Sequence, residues 1–207
     1  MRNLELKVRC SDDVTLDMLA GRAIAGGAAY ARTIGQRDTY FAVPRGRLKL
    51  REWWREEDGV GGSRLGHAYE DGEAGAALIS YARPDHSGSL YSEYGILPVD
   101  DPQALVPVLT GALGTRAVVE KRRALYRYGI TRIHLDLVTS LGAFVELETL
   151  LLPGNGQAPD EHAKNEAAAT VEHREVIVLL ELDGLTSVAG SYCDLIADAP
   201  TRLSKGG

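Results

Sequence analysis

Charged side chains occupy every second position in several separate stretches of this 207-residue chain. In NLELKVRC, residues 3–10, Leu4, Leu6 and Val8 alternate with an amide, an acid and bases. The same alternation recurs in GRLKLRE, TRIHLDLV and FVELETL. A period of two is typical of a β-strand with one apolar and one polar face. The chemistry of the polar faces depends on which charges share them.

The bases on these stretches are numerous enough to hold a polyphosphate. Arginine binds phosphate oxygens through a planar fork, and lysine binds them as a point charge. Bases that converge on one interior would therefore suit a chain of phosphates. The candidate phosphate-binding residues are Lys49, Arg51, Arg83, Lys121, Arg123 and Arg132.

Three acids have the orientation of a metal site. Glu146 and Glu148 are two positions apart, and Glu5 is available from another strand. Carboxylate oxygens are the ligands that hard cations such as Mg²⁺ and Mn²⁺ prefer. We therefore expect Glu5, Glu146 and Glu148 to bind one of these ions.

The alternative is that the polar faces lie in water, as they do in many antiparallel sheets. Solvated faces usually carry Thr, Ser, Gln and Lys rather than Arg and Glu on nearly every strand. A dry, empty interior lined by these charges would be very costly. A wet interior that holds a metal–triphosphate would avoid this cost. We therefore predict that the polar face of residues 3–10 points inward.

The remaining patterns predict the elements that position these residues. Eight strands and few helices indicate an α+β fold, an eight-stranded antiparallel β-barrel, closed or nearly closed, with flanking helices. Helices are predicted over 11–34, over 100–113, and from 160 to Gly184. We expect a single domain over 1–198, a surface insertion near 56–75 and a flexible tail at 199–207.

Composition excludes several classes of partner. The chain has 23 Lys and Arg against 29 Asp and Glu, a net charge of −6. This argues against binding to nucleic acid or to an anionic membrane. The sequence shows no membrane-spanning stretch and no signal peptide. Cys10 and Cys193 form no CxxC pair. Together these features predict a cytoplasmic protein with free thiols. The sequence leaves open whether the protein forms a homodimer.

Six stretches, taken in order, resemble the CYTH superfamily, which comprises class IV adenylate cyclases and triphosphate tunnel metalloenzymes such as thiamine triphosphatase. They are NLELK, GRLKLRE, YARPD, VVEKRRALY, TRIHLDLV and LGAFVELE, within about residues 2–152, and GSYCDLI is similar to the family's closing segment. The resemblance implies an antiparallel tunnel in which a divalent metal holds a triphosphate. It adds Lys7 to the phosphate-binding bases and Asp136 as an acid beside the metal carboxylates.

The leading prediction is cyclisation of a nucleoside triphosphate, ATP to cyclic AMP and pyrophosphate. Lys121 and Arg123 would neutralise the leaving group, and Asp136 would position the nucleophile. Hydrolysis by a triphosphatase is the alternative, and a non-catalytic polyphosphate- or nucleotide-binding barrel is the third. Asn3 replaces the first Glu of the family's signature, which removes one negative charge. Trp53 or Trp54, but not both, could stack on a nucleobase, because neighbouring residues of a strand face opposite sides.

Overall fold

A computed structural model describes residues 2–56, 74–82, 93–151 and 159–197 of the chain. Its strands are β1 (Arg2–Arg9), β2 (Ala29–Phe41), β3 (Arg47–Arg55), β4 (Ala74–Ala82), β5 (Glu93–Pro98), β6 (Thr115–Tyr128), β7 (Thr131–Val138), β8 (Gly142–Leu151) and β9 (Thr186–Ser187). Its helices are α1 (Leu16–Ala25), α2 (Pro102–Leu113), α3 (Pro159–Leu179) and α4 (Tyr192–Ala197).

All nine strands belong to one antiparallel sheet with the order β5-β4-β3-β2-β6-β7-β8-β1-β9. The predicted α+β class and the eight long strands are confirmed, and the two-residue β9 is added to them. Within the described ranges, β5 and β9 each pair with one strand, so the hydrogen-bonded ladder does not close into a complete ring. Among the described residues the sheet therefore has two edges and is not fully closed, as the nearly closed form of the prediction allows.

Helix α1 is shorter than the predicted 11–34. It begins after Thr15, whose hydroxyl accepts the Met18 N–H at 3.2 Å, rather than after Ser11, Asp12 or Asp13. It ends at Ala25 because two glycines follow, and Gly27 has φ +94°, which L side chains rarely adopt. Residues from Ala29 onward then extend β2, which starts nine positions before the predicted strand at Asp38.

Helix α3 ends at Leu179 rather than at the predicted Gly184. Glu181 takes a left-handed conformation with φ 56° immediately after the helix. This turn buries Leu180 and Leu182 on either side of it in the core. The helix therefore ends before Gly184 because the turn at Glu181 buries these two leucines.

Helices α1, α2 and α3 cover one side of the sheet, here called the outer face. Val8, Ile133, Leu135, Val145 and Leu147 on this face form a core with α1 and the end of α3. Helix α2 covers a second core around Phe41 and Leu50 of β2 and β3. The other side of the sheet, the inner face, carries Lys7, Lys49, Lys121, Asp136 and Glu146.

Contacts across the inner face show that the sheet is strongly curved. Tyr192 of α4 lies under the ammonium groups of both Lys7 in β1 and Lys121 in β6, although β7 and β8 separate these strands. Asp194 likewise accepts from Arg47 of β3 and Arg116 of β6. The inner face is therefore concave, and α4 lies across one end of it.

Several predictions fall on other parts of the chain. Arg83, most of the 56–75 insertion and the tail at 199–207 lie outside the described residues. The common sheet supports a single domain over 1–198, a division that stays a prediction. Cys10 and Cys193 are free, as predicted. Among the described residues, no helix is both long and apolar enough to cross a bilayer.

Two leucines on the outer face of β7 test where the helices cover the sheet. Leu135 is 2% exposed and Leu137 is 50% exposed, although both side chains are on the same side of one strand. We expect Leu135→Ala to lower the free energy of unfolding by about 2–5 kcal/mol, because it leaves a cavity. Leu137→Ala should change it by less than about 0.5 kcal/mol. Urea denaturation measures both, and equal losses would contradict this packing.

Candidate functional site

The polar face of β1 points inward, as predicted. Leu6 and Val8 pack in the outer core, whereas Lys7 Nζ lies 3.0 Å from a carboxylate oxygen of Glu146 on β8. The register pairs Lys7 with Glu146 and Glu5 with Glu148. Directly opposed residues of an antiparallel pair have side chains on the same face. The site therefore begins with β1 and β8 side by side.

Asp38 of β2 is the centre of the first charged cluster. Arg51 donates to both of its oxygens at 2.7 Å, from Nε and Nη2. Lys49 Nζ donates at 2.9 Å and Gln36 Nε2 at 3.1 Å. Burial alone would raise the pKa of Asp38, but the charges of Arg51 and Lys49 hold this pKa well below its usual range. Asp38 is thus a permanent anion that fixes two bases.

Lys49 is a buried base with an unusual acidity. Burial, and then the charge of Arg51, lower the pKa of Lys49 to about 7, against the opposing effect of Asp38. Its Nζ also donates to the hydroxyl of Tyr40 at 3.4 Å. The ammonium form of Lys49 therefore exchanges with the neutral amine near neutral pH.

Asp136 of β7 is the centre of the second cluster and is completely buried. It accepts from Arg123 Nε and Nη2 at 2.6 Å, from Lys121 Nζ at 2.9 Å and from the Tyr192 hydroxyl at 3.0 Å. Burial raises the pKa of Asp136, but Arg123 and Lys121 outweigh it and lower this pKa to about 2. An acid this strong orients bases and is a poor acceptor of protons.

Glu146 joins the second cluster to β1. It pairs with both Arg123 and Lys7. His134 Nδ1 lies 3.9 Å from its Oε2. Burial, followed by the charge of Arg123, lowers the pKa of His134, so this imidazole is neutral beside the carboxylate at neutral pH.

Glu148 is bound from two sides. Asn3 Nδ2 donates to its Oε1 at 2.6 Å, and Arg132 Nη1 donates to its Oε2 at 3.2 Å. The other amide oxygen, Asn3 Oδ1, is buried and has no hydrogen-bond partner among the described residues. Glu5, which is exposed, opposes Glu148 directly in the register. Two like charges placed opposite each other are destabilising.

These donors fit a hard divalent cation. A cation would satisfy the orphaned Asn3 Oδ1 and lie beside Glu5 and Glu148, which oppose each other in the register, and all of these donors are oxygens. In the described part of the chain, however, no three His, Cys, Asp or Glu side chains are already gathered as a metal site. Glu146 in particular is held by bases. The predicted set of Glu5, Glu146 and Glu148 therefore stays a prediction, with Asn3 added.

The structure brings together most of the predicted residues. Asp136, Lys121, Arg123 and Glu146 with Lys7 form one connected cluster, Lys49 and Arg51 a second, and Arg132 and Glu148 a third. Sequence reasoning missed Asp38, because the strand was taken to begin there and its face was not assigned. It also missed the role of Tyr192, because the resemblance of GSYCDLI to the family's closing segment assigns no contact to this side chain and a short helix carries no periodic pattern.

Trp53 and Trp54 are separated as the alternation requires. Trp53 is on the inner face, since it opposes Gln36 in the register, and its ring lies against Gly75. A Cβ at Gly75 would come within 2.6 Å of that ring. Trp54 packs on the outer face against Gly35. Trp53 is therefore the one tryptophan that shares a face with Lys49 and Arg51.

Comparison with known families confirms the relationship that these residues indicate. A model of the CYTH domain matches residues 1–170. The chain belongs to the CYTH domain family. No curated protein sequence matches the chain significantly.

Solved structures share the fold of this CYTH protein at low identity. PH1012 of Pyrococcus horikoshii is 19% identical, with a TM-score of 0.64 over 93% of this chain and 98% of that one. A Vibrio parahaemolyticus protein, provisionally assigned as an adenylate cyclase, is 13% identical, with a TM-score of 0.56 over 95% and 98%. A chain of the Schizosaccharomyces pombe Mediator head module is 11% identical, with a TM-score of 0.56 over 91% and 100%. At these identities the likeness shows the fold alone.

Asp38→Asn tests the charge balance of the first cluster. The neutral amide leaves Arg51 and Lys49 uncompensated, so we expect the free energy of unfolding to fall by about 3 kcal/mol, as when one member of a buried pair is removed. Asp183 is the matched control, because it takes a similar fork from Arg174 on the exposed surface. Asp183→Asn should cost less than about 1 kcal/mol. Denaturation curves that give similar losses for both would contradict the role of Asp38.

Proposed function

We propose that this CYTH protein is a metal-dependent enzyme that binds a triphosphate on its inner face and cyclises a nucleoside triphosphate to a cyclic nucleotide and pyrophosphate. ATP, giving cyclic AMP, is the expected substrate. The CYTH superfamily includes both cyclases and triphosphatases, so membership supports action on a triphosphate. The choice between cyclisation and hydrolysis depends on the side chains of the site.

One observation carries the proposal: four bases from two strands lie at the inner face around only two buried carboxylates. Lys49 and Arg51 approach from β3, and Lys121 and Arg123 approach from β6. These six side chains carry two more positive than negative charges when Lys49 is an ammonium, and the excess stays at two when the pair of Lys7 and Glu146 is included. A polyanion compensates that excess, and each base donates in the way that phosphate oxygens accept.

The order of residues along the sheet supports a direction for the substrate. Helix α4 lies at the end of the inner face where Lys7, Lys121 and Arg47 are found. Asn3 and Glu5 lie farther along β1, and Trp53 farther along β3. If the β- and γ-phosphates contact the lysines and arginines, the α-phosphate lies toward Asn3 and Glu5. The nucleobase then lies toward Trp53. This arrangement favours a nucleotide over inorganic tripolyphosphate.

In the reaction, the 3′-hydroxyl oxygen bonds to the α-phosphorus as the bond to the pyrophosphate oxygen breaks, and the hydroxyl proton passes to water. Lys121 and Arg123 neutralise the charge that develops on the leaving pyrophosphate. Asp136 holds both bases in place rather than taking the proton, since its pKa is about 2. Lys49 and Arg51, fixed by Asp38, hold the same phosphates from the other side.

A divalent cation held by Glu5, Glu148 and Asn3, with Glu146 nearby, would supply further neutralisation at the α-phosphate and lower the pKa of the 3′-hydroxyl. Mg²⁺ and Mn²⁺ both suit these oxygen donors.

Product identification tests the proposal. The protein is incubated with ATP, thiamine triphosphate or tripolyphosphate, with Mg²⁺, Mn²⁺ or EDTA, and the products are separated. We expect cyclic AMP and pyrophosphate from ATP with metal only. Free phosphate would establish hydrolysis instead. Binding that survives EDTA without any turnover would establish the non-catalytic alternative.

Neighbouring arginines on β6 test the phosphate contacts. Arg123 is on the inner face, and Arg122 is on the opposite side, where it pairs with Glu56. Arg123→Ala should weaken triphosphate binding by about 1.5–3 kcal/mol and monophosphate binding by less, because only the longer chain reaches every base. Arg122→Ala should leave both unchanged. Calorimetry measures the four affinities, and equal losses for mono- and triphosphate would place Arg123 outside the phosphate channel.

The pKa of Lys49 predicts a pH dependence of binding. Asp38, Arg51, Tyr40 and Lys121 surround this lysine, and its pKa is about 7 in the folded protein. A phosphate favours the ammonium form, so binding above pH 7 requires uptake of a proton. Affinity for tripolyphosphate should therefore fall between pH 7 and 9, by up to about tenfold per pH unit.

Lys49→Arg provides the control, because arginine stays charged throughout this range. It should remove the part of the pH dependence that Lys49 contributes. Calorimetry in EDTA at several pH values compares the two proteins, and identical slopes would show that Lys49 does not titrate in the phosphate site.

A further inference from the structure

The C-terminal segment reaches the charged clusters although it lies beyond the residues that the CYTH model matches. That match ends at residue 170, whereas Tyr192 belongs to the short helix α4. Tyr192 is 5% exposed. Its ring packs edge-on against Phe144 of β8, with the centroids 5.0 Å apart. The segment therefore contributes an aromatic ring to the inner face itself.

The hydroxyl of Tyr192 contacts the most buried acid of the site. It donates to Asp136 Oδ2 at 3.0 Å. Lys121 Nζ and Arg123 Nη2 donate to the same oxygen. Of these three donors, only Tyr192 is neutral. It can therefore stay bound to the carboxylate of Asp136 when Lys121 and Arg123 turn toward a phosphate.

One face of the Tyr192 ring contacts the ammonium groups of Lys7 and Lys121. Lys7 Nζ lies 4.3 Å from the ring centroid, and Lys121 Nζ lies 4.9 Å from it. Both distances are within the range of cation–π attraction. One aromatic face thus brings together two ammonium groups from strands that are not neighbours in the sheet.

Further contacts fix this segment in place. Asp194 accepts from Arg47 at 2.8 Å and from Arg116 at 3.1 Å, and it also accepts from the Ser191 hydroxyl and backbone N–H. Lys7 Nζ donates to the Gly190 carbonyl at 2.9 Å, and the Val188 N–H donates to the Lys7 carbonyl. The segment is anchored at both ends, so the position of Tyr192 is determined.

We propose that Tyr192 is a positioning residue of the triphosphate site. Its hydroxyl fixes Asp136 and, through it, Lys121 and Arg123, and its ring holds the ammonium groups of Lys7 and Lys121 side by side. This inference rests on the proposed function and assigns the C-terminal segment a part in it. The two roles belong to different atoms of one side chain, so substitutions separate them.

Tyr192→Phe removes the hydroxyl and keeps the ring, whereas Tyr192→Leu removes both. Tyr126→Phe is the matched control, because Tyr126 is 6% exposed but packs in the outer core against Tyr30. For each protein, calorimetry in EDTA gives the Kd for tripolyphosphate, steady-state assays with ATP and Mn²⁺ give kcat and KM, and thermal melts report folding.

We expect Tyr192→Phe to keep the Kd within about twofold and to lower kcat by about tenfold, since only the support of Asp136 is lost. Tyr192→Leu should also weaken the Kd by about fivefold or more. Tyr126→Phe should change none of these values. A purely structural role would lower the melting temperature and leave kcat, KM and Kd of the folded fraction unchanged, which would overturn the proposal.

Two outcomes separate this inference from the proposed function. An active wild-type protein whose Tyr192→Phe variant has an unchanged kcat would overturn the role of the hydroxyl and leave the proposed function intact. A wild-type protein that binds tripolyphosphate without turning over any triphosphate would refute the enzyme, and the Kd of Tyr192→Leu would still decide the role of the ring. A wild-type protein that binds no triphosphate would overturn both.

Discussion

The compensation of buried bases by two buried carboxylates is the constraint on which the rest of this structure depends. Lys49 and Lys121 are each 7% exposed, and an unpaired charge at such a depth is very unfavourable. Asp38 and Asp136 meet this cost by accepting bidentate pairs and single ammonium groups at 2.6–2.9 Å. Glu146 adds a third carboxylate, which pairs with Arg123 and Lys7. The bases still outnumber these acids by five to three, and the proposed polyanion site rests on that excess.

The fold serves this arrangement by separating two kinds of surface. The outer face packs against α1, α2 and α3, and the inner face adds an apolar core around Phe144 and Tyr192 near α4. The inner face can then carry charges whose net contribution to stability is small or negative. Curvature brings β1, β3 and β6 within reach of one another, and α4 completes the concave surface at one end.

Sequence identity within this fold is low. At 11–19% identity the same architecture occurs in PH1012, in the Vibrio protein and in a chain of the Mediator head module. Fold alone therefore does not decide the activity, which depends on the side chains of the inner face. In this chain these include the paired bases of β3 and β6, an amide at position 3 and a tryptophan beyond Arg51.

By itself, the sequence determined which residues share a face along each regular stretch of strand, because strand geometry imposes a period of two. It therefore predicted the eight long strands, the inward side of β1 and the bases Lys49, Arg51, Lys121 and Arg123. It did not show that Asp38 belongs with them, since Gly26 and Gly27 end α1 early and let β2 begin far ahead of the apparent strand. Which acid meets which base was decided only by the tertiary structure, because that depends on strand register and on curvature between non-adjacent strands. The same holds for Tyr192, whose place beside Lys7 and Lys121 arises from contacts across about 185 and 70 residues of chain, respectively, which no local pattern predicts.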